Sequence, residues 1–231
     1  MRQRKYFFNR LIKMWTLAFD TTTSYCSVAL FEDKTAKSVF SQSLMFGQSE
    51  LLIVKIKELL EENRLSVKDL DLIGVCTGPG SFTGVRSSIA AARTFALAQN
   101  KIAVTGINAF DAYVSLIEPK QRAERTAVIV ETKRDDFYVA YYDINLQKIE
   151  SGKTAFYDEI IADLRGFSTT FIGDGVERFL SKPSGLHLHD AVFENCPPIK
   201  DIALLAIKRF EDKNLDFPKP FYLKAADICV K

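Results

Sequence analysis

Histidine is scarce in this sequence, cysteine is unclustered, and long apolar runs are missing. The 231 residues contain two histidines, His187 and His189, so a histidine-based catalytic or metal site has few ways to form. The four cysteines show no CxxC spacing, which argues against a local zinc motif and fits a reducing, cytoplasmic compartment. No apolar run reaches the roughly 18 residues that cross a bilayer, so we expect no membrane-spanning segment.

Positive charge is concentrated at the amino terminus. Residues 1–13 contain three arginines, two lysines and no acidic residue, whereas the remainder of the chain carries a net charge of −3. A net negative charge on the remainder of the chain does not favour nucleic-acid binding. The basic segment is too interrupted by charge for a secretory signal. It is an RNA-binding arm, a targeting peptide, or a disordered leader upstream of a true start at Met14, and we favour the leader.

Apolar periodicity predicts an α/β protein with two lobes that divide near Glu118. The first lobe, residues 14–117, should have the order βββαβαβ, an antiparallel meander followed by right-handed crossovers. Its predicted elements are strands at 15–19, 26–31, 36–44, 72–77 and 103–107 and helices at 49–63 and 83–99. The smaller second lobe, residues 118–231, should contain a hairpin, a strand and a helix, at 127–142, 169–172 and 202–210.

A glycine loop with the sequence GPGSFTGVR, residues 78–86, lies between a predicted strand and a predicted helix. Loops in that position often hold phosphates in α/β proteins. Here no lysine follows the glycines as in a Walker loop, and Thr83 stands where the dinucleotide pattern needs its third glycine. The loop is therefore a weak nucleotide motif.

The helix after this loop carries a ridge of small residues at i, i+4 spacing. Small side chains let another helix or a sheet approach closely. The ridge packs either on the protein's own sheet or on a partner helix, including the same ridge of a second copy. The interface hypothesis includes three residues of the preceding helix, of which Ser49 is also the predicted cap; its members are Ser49, Leu52, Ile56, Gly84, Ser88, Ala92 and Ala96.

Asp20 and the hydroxyl-rich turn after it resemble the phosphate corner of actin-like and sugar-kinase-like ATPases. In those proteins an acid orients magnesium while a D-x-G-T turn wraps the phosphates. Thr22 stands at the glycine position, and a β-branched residue resists the positive φ that glycine accepts. The corner is a degenerate nucleotide site or an ordinary hairpin turn.

Several motifs together resemble the TsaB (YeaZ) family. The most specific is GPGSFTGVR; the others are Leu17-Ala18-Phe19-Asp20-Thr21-Thr22, Cys26-Ser27-Val28-Ala29-Leu30, Ser49-Glu50-Leu51-Leu52, Gly173-Asp174-Gly175 and Tyr222-Leu223-Lys224. The resemblance implies an actin-like/Hsp70-like ATPase (ribonuclease H-like) fold with two related lobes, the second degenerate. It also implies a non-catalytic subunit for making N6-threonylcarbamoyladenosine at position 37 of tRNAs that read ANN codons.

The resemblance further implies partners. These are a catalytic paralogue, TsaD, docked through a bundle of first-lobe helices, and a small ATPase, TsaE. A homodimer through the same helices is the alternative pairing. Transfer RNA would be reached only through the complex, and ATP or ADP would bind only there, so no cofactor is expected in the isolated chain.

The catalytic paralogue carries an H-x-x-x-H metal motif after the strand that follows its own glycine-loop helix. The matching positions here are Asn108 and Ala112. Alanine has no ligating atom and asparagine is a poor substitute for imidazole, so neither a metal site nor a catalytic residue is expected. Two other hypotheses stay open: an active ATPase or small-molecule kinase using Asp20, and an RNA-binding protein using the basic arm.

Overall fold

Two five-stranded mixed sheets form the framework of the computed structural model, which describes residues 13–223. The predicted basic leader therefore lies outside the described residues except for Lys13, and so does Lys224 of the closing motif. No helix in the described part of the chain is long and apolar enough to cross a membrane.

The first sheet has the predicted order of elements. Strands β1 to β3 form an antiparallel meander, and β1, β4 and β5 run parallel, in the spatial order β3-β2-β1-β4-β5. The prediction βββαβαβ is confirmed, with bounds of β1 Trp15–Asp20, β2 Tyr25–Glu32, β3 Thr35–Ser43, α1 Gln48–Glu62, β4 Leu72–Cys76, α2 Phe82–Ala98 and β5 Ala103–Ile107.

The second sheet has the spatial order β10-β9-β6-β7-β8. The predicted hairpin is confirmed as the antiparallel pair β6 and β7. The prediction missed the shorter elements α3, β8, α4, α5 and β10. The bounds are α3 Ala109–Val114, β6 Arg125–Glu131, β7 Asp136–Tyr142, β8 Lys153–Phe156, α4 Tyr157–Leu164, β9 Ser168–Gly173, α5 Val176–Leu180, β10 His187–Phe193 and α6 Ile199–Glu211.

Helix α6 packs on the first sheet although it comes last in the chain. A Cβ atom added to Gly74 of β4 would lie 2.6 Å from the Cβ of Ala206, so glycine lets the helix approach the strand closely. Helices α1 and α2 cover the opposite face of that sheet. Residues 199–211 thus contribute to the first lobe, whereas the sequence analysis placed them in the second.

Helices α1 and α2 begin in different ways. The prediction that Ser49 caps α1 is wrong: Gly47, at φ 88°, precedes the helix, and the Ser49 hydroxyl donates to Ser87 Oγ at 2.8 Å. Ser81 caps α2 by accepting from the amide of Gly84 at 3.4 Å. Because Ser49 and Ser87 belong to different helices, their bond ties α1 to α2 at the end nearest the glycine loop.

Candidate functional site

The glycine loop packs directly on the turn between β1 and β2. A Cβ atom added to Gly80 would lie 2.3 Å from the carbonyl oxygen of Thr22, and one added to Gly84 would lie 1.8 Å from that of Thr21. Real Cβ atoms do not approach carbonyl oxygens so closely, and backbone has little room to yield. The glycines at these positions therefore allow two backbone segments to touch, which leaves no room between them for a phosphate.

Hydrogen bonds lock the same contact. The Ser81 amide donates to the Thr22 carbonyl oxygen at 2.6 Å. The Thr21 amide donates to Ser88 Oγ at 3.1 Å, and the Thr21 hydroxyl donates to the Gly84 carbonyl oxygen at 2.8 Å. Thr21 and Ser88 are both fully buried, so these bonds satisfy polar groups that would otherwise be costly in the core.

Asp20 lies at the bottom of this corner and is fully buried. Its Oδ1 accepts from the Thr22 amide at 2.9 Å, while its Oδ2 has no hydrogen-bond partner within the described residues. Burial raises the pKa of Asp20 to about 6, because the charged form loses its hydration. Thr22 is also buried and donates to Cys76 Sγ at 3.8 Å.

A cleft of about 710 Å³ opens between the two sheets next to this corner. It is bordered by the turn at 22–25, the loop at 79–82, the tip of the β6–β7 hairpin at 131–134 and the closing segment 221–223. Thr22 lines the cleft, whereas Asp20 is not among its lining residues. The acid that would orient a metal is therefore buried and does not itself border the cleft.

Asp174 lines the cleft together with Glu131. Its Oδ1 accepts from the Glu131 amide at 3.1 Å. Burial raises the pKa of Asp174 to about 7, and the nearby Glu131 carboxylate adds to the effect. Glu131 itself is paired with Arg178, with Nε to Oε2 at 2.7 Å. Asp174 therefore joins β6 to the turn after β9.

The structure corrects the predicted partner interface. Five of its seven residues face the chain's own first sheet and are buried, and these are Leu52, Ile56, Gly84, Ser88 and Ala92. Ser49 and Ala96 are partly exposed. The small ridge lets α2 approach its own sheet and the Thr21 turn, so the packing alternative holds for those five positions, and they form no docking surface.

The outer side of the same two helices is exposed and partly aliphatic. Leu97 of α2 is 81% exposed, and Ile53 and Val54 of α1 are each 50% exposed. Ala90 and Thr94 are exposed beside them on α2. We call Ile53, Val54, Ala90, Thr94 and Leu97 the outer helical surface. Large aliphatic side chains exposed to water on neighbouring helices are typical of protein–protein contact sites.

The positions that correspond to metal ligands in the catalytic paralogue have structural roles here. The Asn108 side chain caps α3 by accepting from the Phe110 amide at 2.9 Å, and Ala112 is fully buried. Within residues 13–223, no group of three or more His, Cys, Asp or Glu side chains is placed to hold a metal ion.

The two histidines form no site in the described part of the chain. His187 and His189 lie in the edge strand β10. Both are exposed, and the Nε2 of His189 is 3.3 Å from the Lys120 carbonyl oxygen. Asp136 is buried at the start of β7, where the Thr132 hydroxyl donates to its Oδ1 at 2.8 Å.

Comparison with known proteins places this architecture in a family. A protein of Escherichia coli named tRNA threonylcarbamoyladenosine biosynthesis protein TsaB is 27% identical over 223 residues, which cover 91% of this chain and 95% of that protein. A protein of the same name from Buchnera aphidicola of Schizaphis graminum is 30% identical over 126 residues, 54% of this chain and 59% of that protein. A family model described as "TsaD: tRNA N6-adenosine threonylcarbamoyltransferase" matches residues 47–167, more than half of the chain.

This chain belongs to the TsaB (YeaZ) family. Among solved structures, YeaZ from Pseudomonas aeruginosa has a TM-score of 0.76 at 22% identity, covering 91% of this chain and all of the YeaZ chain. A Bacteroides thetaiotaomicron protein described as having an actin-like ATPase fold has a TM-score of 0.50 at 9% identity, covering 84% of this chain and 96% of that one. These likenesses concern the fold alone, and they confirm the predicted actin-like α/β architecture. The matched segment 47–167 contains both helices of the outer helical surface.

Proposed function

We propose that this chain is a non-catalytic subunit of the complex that forms N6-threonylcarbamoyladenosine at position 37 of tRNAs reading ANN codons. The names of the curated relatives support the pathway. The observation that best supports a non-catalytic subunit is a contrast between two parts of the first lobe, the Thr21–Thr22 turn and the outer helical surface. The turn at Thr21 and Thr22 is filled by the glycine loop, whereas α1 and α2 expose aliphatic side chains.

The same geometry supports a role without catalysis. A phosphate placed between the Thr21–Thr22 turn and the glycine loop would have to displace Gly80 and Gly84, which touch the turn. Asp20 would have to bind a metal although its carboxyl is buried. Burial raises the pKa of that carboxyl to about 6, which disfavours the charged form that binds metals. Asn108 and Ala112 supply a helix cap and core packing in place of metal ligands. We therefore assign the chemistry to the partner.

The partner that fits the outer helical surface is the TsaD-type catalytic paralogue. A match to the TsaD model over residues 47–167 shows that the helices of this segment have counterparts there, so two related helix pairs can pack face to face. Small residues such as Ala90 allow close approach between helices, and the flanking aliphatic side chains are buried on contact. Met45 and Phe46, 85% and 82% exposed, extend the apolar area just before α1.

The outer helical surface is tested by introducing charge into it. We expect the double substitution Ile53→Asp and Leu97→Asp to weaken binding of the TsaD-type paralogue at least tenfold, because two buried carboxylates would lack partners. Isothermal titration with both purified proteins measures this loss. Leu204→Asp is the matched control, since Leu204 is 40% exposed on α6, across the sheet. Equal affinity for the double variant and the wild type would refute docking at this surface.

We further propose that the complex includes a TsaE-type ATPase and that this chain contacts tRNA only through the complex. The proposed location of the complex is the cytoplasm. A homodimer through the outer helical surface would compete with the paralogue. The Ile53 and Leu97 double variant should then be monomeric in analytical ultracentrifugation even if the wild type self-associates. A nucleotide, if required, is expected only when the subunits are assembled.

The competing function, an ATPase or small-molecule kinase using Asp20, makes a different prediction. Asp20 has an unpartnered oxygen beside a cleft of about 710 Å³, which is why it merits a direct test. We expect no ATP binding by the isolated chain at millimolar nucleotide with magnesium, measured by fluorescence with a labelled ATP analogue. Binding that disappears in Asp20→Ala would favour the ATPase. RNA binding that is lost in a chain beginning at Met14 would favour the basic arm.

A further inference from the structure

The segment that follows α6 crosses the edge of the first sheet and reaches α2. We call residues 212–223 the strap. The Gly106 amide of the edge strand β5 donates to the Asp216 carbonyl oxygen at 2.8 Å, and the Phe221 amide donates to the Thr77 carbonyl oxygen at 2.9 Å. The strap therefore leaves the α6 side of the sheet at β5 and ends beside the cleft, on the side of α2.

Two arginines of α2 bind the strap. Arg93 donates through Nε and Nη2 to the Pro218 carbonyl oxygen at 3.1 and 2.5 Å, and its guanidinium lies 4.8 Å from the centre of the Phe217 ring. Arg86 donates through Nε to the Tyr222 hydroxyl at 2.9 Å. These bonds fix both long side chains, which would otherwise lose conformational entropy on binding a partner.

An aromatic contact adds to the positioning of Arg86. Its guanidinium carbon lies 3.5 Å from the centre of the Phe82 ring, and the Phe82 and Tyr222 ring centres are 5.2 Å apart. Stacking on an aromatic face orients the planar guanidinium. Because the strap uses only Nε, the two terminal nitrogens of Arg86 form no hydrogen bond to residues 13–223.

Neither arginine forms an ion pair with a carboxylate of residues 13–223, although both are exposed. Arg86, Ala90, Arg93 and Leu97 follow one another at i, i+4, i+7 and i+11 on the exposed side of α2. That spacing places them along one side of a helix. The two cations thus flank the alanine at the centre of the outer helical surface.

We propose that the outer helical surface recognises a helix whose carboxylates bind Arg86 and Arg93, and that the strap positions these two arginines for that contact. The inference rests on the proposed function, because it names the chemistry of the docked partner. Burying a guanidinium without an acidic partner is costly, whereas a carboxylate can bind the terminal nitrogens of Arg86 in a bidentate pair. Charge complementarity therefore selects a partner with acidic residues beside a small or apolar stripe.

The test is titration calorimetry of the full chain with the TsaD-type paralogue between 50 and 500 mM salt. We expect wild-type affinity to fall with salt. Arg86→Glu with Arg93→Glu should weaken binding at least tenfold at low salt, and its affinity should no longer fall with salt, because salt then screens a repulsion. Arg122→Glu is the control, because it reverses the charge of an exposed residue before β6. It should bind as the wild type does. If the double reversal does not fold, Arg86→Gln with Arg93→Gln should give the same loss of salt dependence.

Tyr222→Phe tests the positioning by the strap, because it keeps the ring and removes the hydroxyl that holds Arg86. We expect the Kd to rise twofold to fivefold. The salt dependence should be retained, since the charges are unchanged. Wild-type binding that is tight but unaffected by the arginine substitutions would overturn the inference and leave the proposed function standing. Failure of the wild type to bind the paralogue at any salt concentration would overturn the proposed function itself.

Discussion

Gly84→Ala is expected to destabilise the protein by about 2–3 kcal/mol, against the usual effect of that change in a helix. The new Cβ would lie 1.8 Å from the Thr21 carbonyl oxygen, and overpacking of this kind costs roughly 1–3 kcal/mol or more. Gly84 is the third residue of α2, in the first turn, where alanine gains less over glycine than the roughly 1 kcal/mol it gains in the middle of a helix. The sign of the effect therefore separates a backbone contact from an unhindered position.

Thermal unfolding followed by circular dichroism measures the change. For a chain of this size we expect the Tm to fall by roughly 5–10 °C. Thr83→Ala, at the exposed neighbouring position of α2, is the control and should shift stability by less than about 0.5 kcal/mol. An unchanged or higher Tm for Gly84→Ala would mean that the glycine loop does not pack on the Thr21 turn.

Asp20→Asn is expected to make the protein more stable at pH 8 and to have little effect near pH 4. The folded state raises the pKa of Asp20 from 3.8 to about 6, so folding favours the protonated acid. The cost of the buried charge develops as the pH rises from about 4 to about 6 and persists above that. It amounts to at most about 3 kcal/mol. Asparagine keeps the acceptor for the Thr22 amide without a charge, and it resembles the protonated acid that predominates at low pH.

The measurement is the difference in unfolding free energy between the variant and the wild type at the two pH values, from urea denaturation. Asp174, whose pKa is raised to about 7, adds a pH dependence of the same sign to both proteins and so cancels in the comparison. Asn214→Ser, an exposed change that involves no titratable group, should show no change with pH. A stability difference for Asp20→Asn that stays constant between pH 4 and pH 8 would contradict a buried carboxyl with a raised pKa.

The first lobe could be predicted because its elements are long and their apolar patterns are regular. Buried strands such as Leu72–Cys76 read as continuous apolar runs, and α1 shows helical spacing at Leu52, Ile56, Leu59 and Leu60. Elements such as α5, with 5 residues, are too short to show a period. The strand β10 contains a register shift between Leu188 and Asp190, which breaks the alternation that would have indicated it.

The face of α2 that packs inward could not be read from the sequence. Ser88 is polar and Leu97 is apolar, yet Ser88 is fully buried and Leu97 is 81% exposed. Ser88 is inside because it binds the Thr21 amide and hydroxyl, a contact between residues that are distant in sequence. The strap escaped prediction for the same reason, since its bonds to Arg86 and Arg93 join parts of the chain more than a hundred residues apart.

The glycine loop has a structural role in this account, because it and the strap hold helix α2 from two sides. Gly80 and Gly84 fasten α2 to the turn at Thr21 and Thr22, and the strap fastens its outer side. Helix α2 is thereby fixed on both sides, with the outer helical surface exposed between them. A rigid, preformed surface binds a partner with less loss of entropy than a flexible one.

The most direct test of this account is threonylcarbamoylation of tRNA in a reconstituted reaction containing the TsaD-type paralogue and this chain. The account predicts that Asp20→Asn supports modification at a rate close to that of the wild type, whereas Ile53→Asp with Leu97→Asp reduces it at least tenfold. The opposite result, a reaction that requires Asp20 and tolerates both charges on the outer helical surface, would show that this chain contributes chemistry instead of a docking surface.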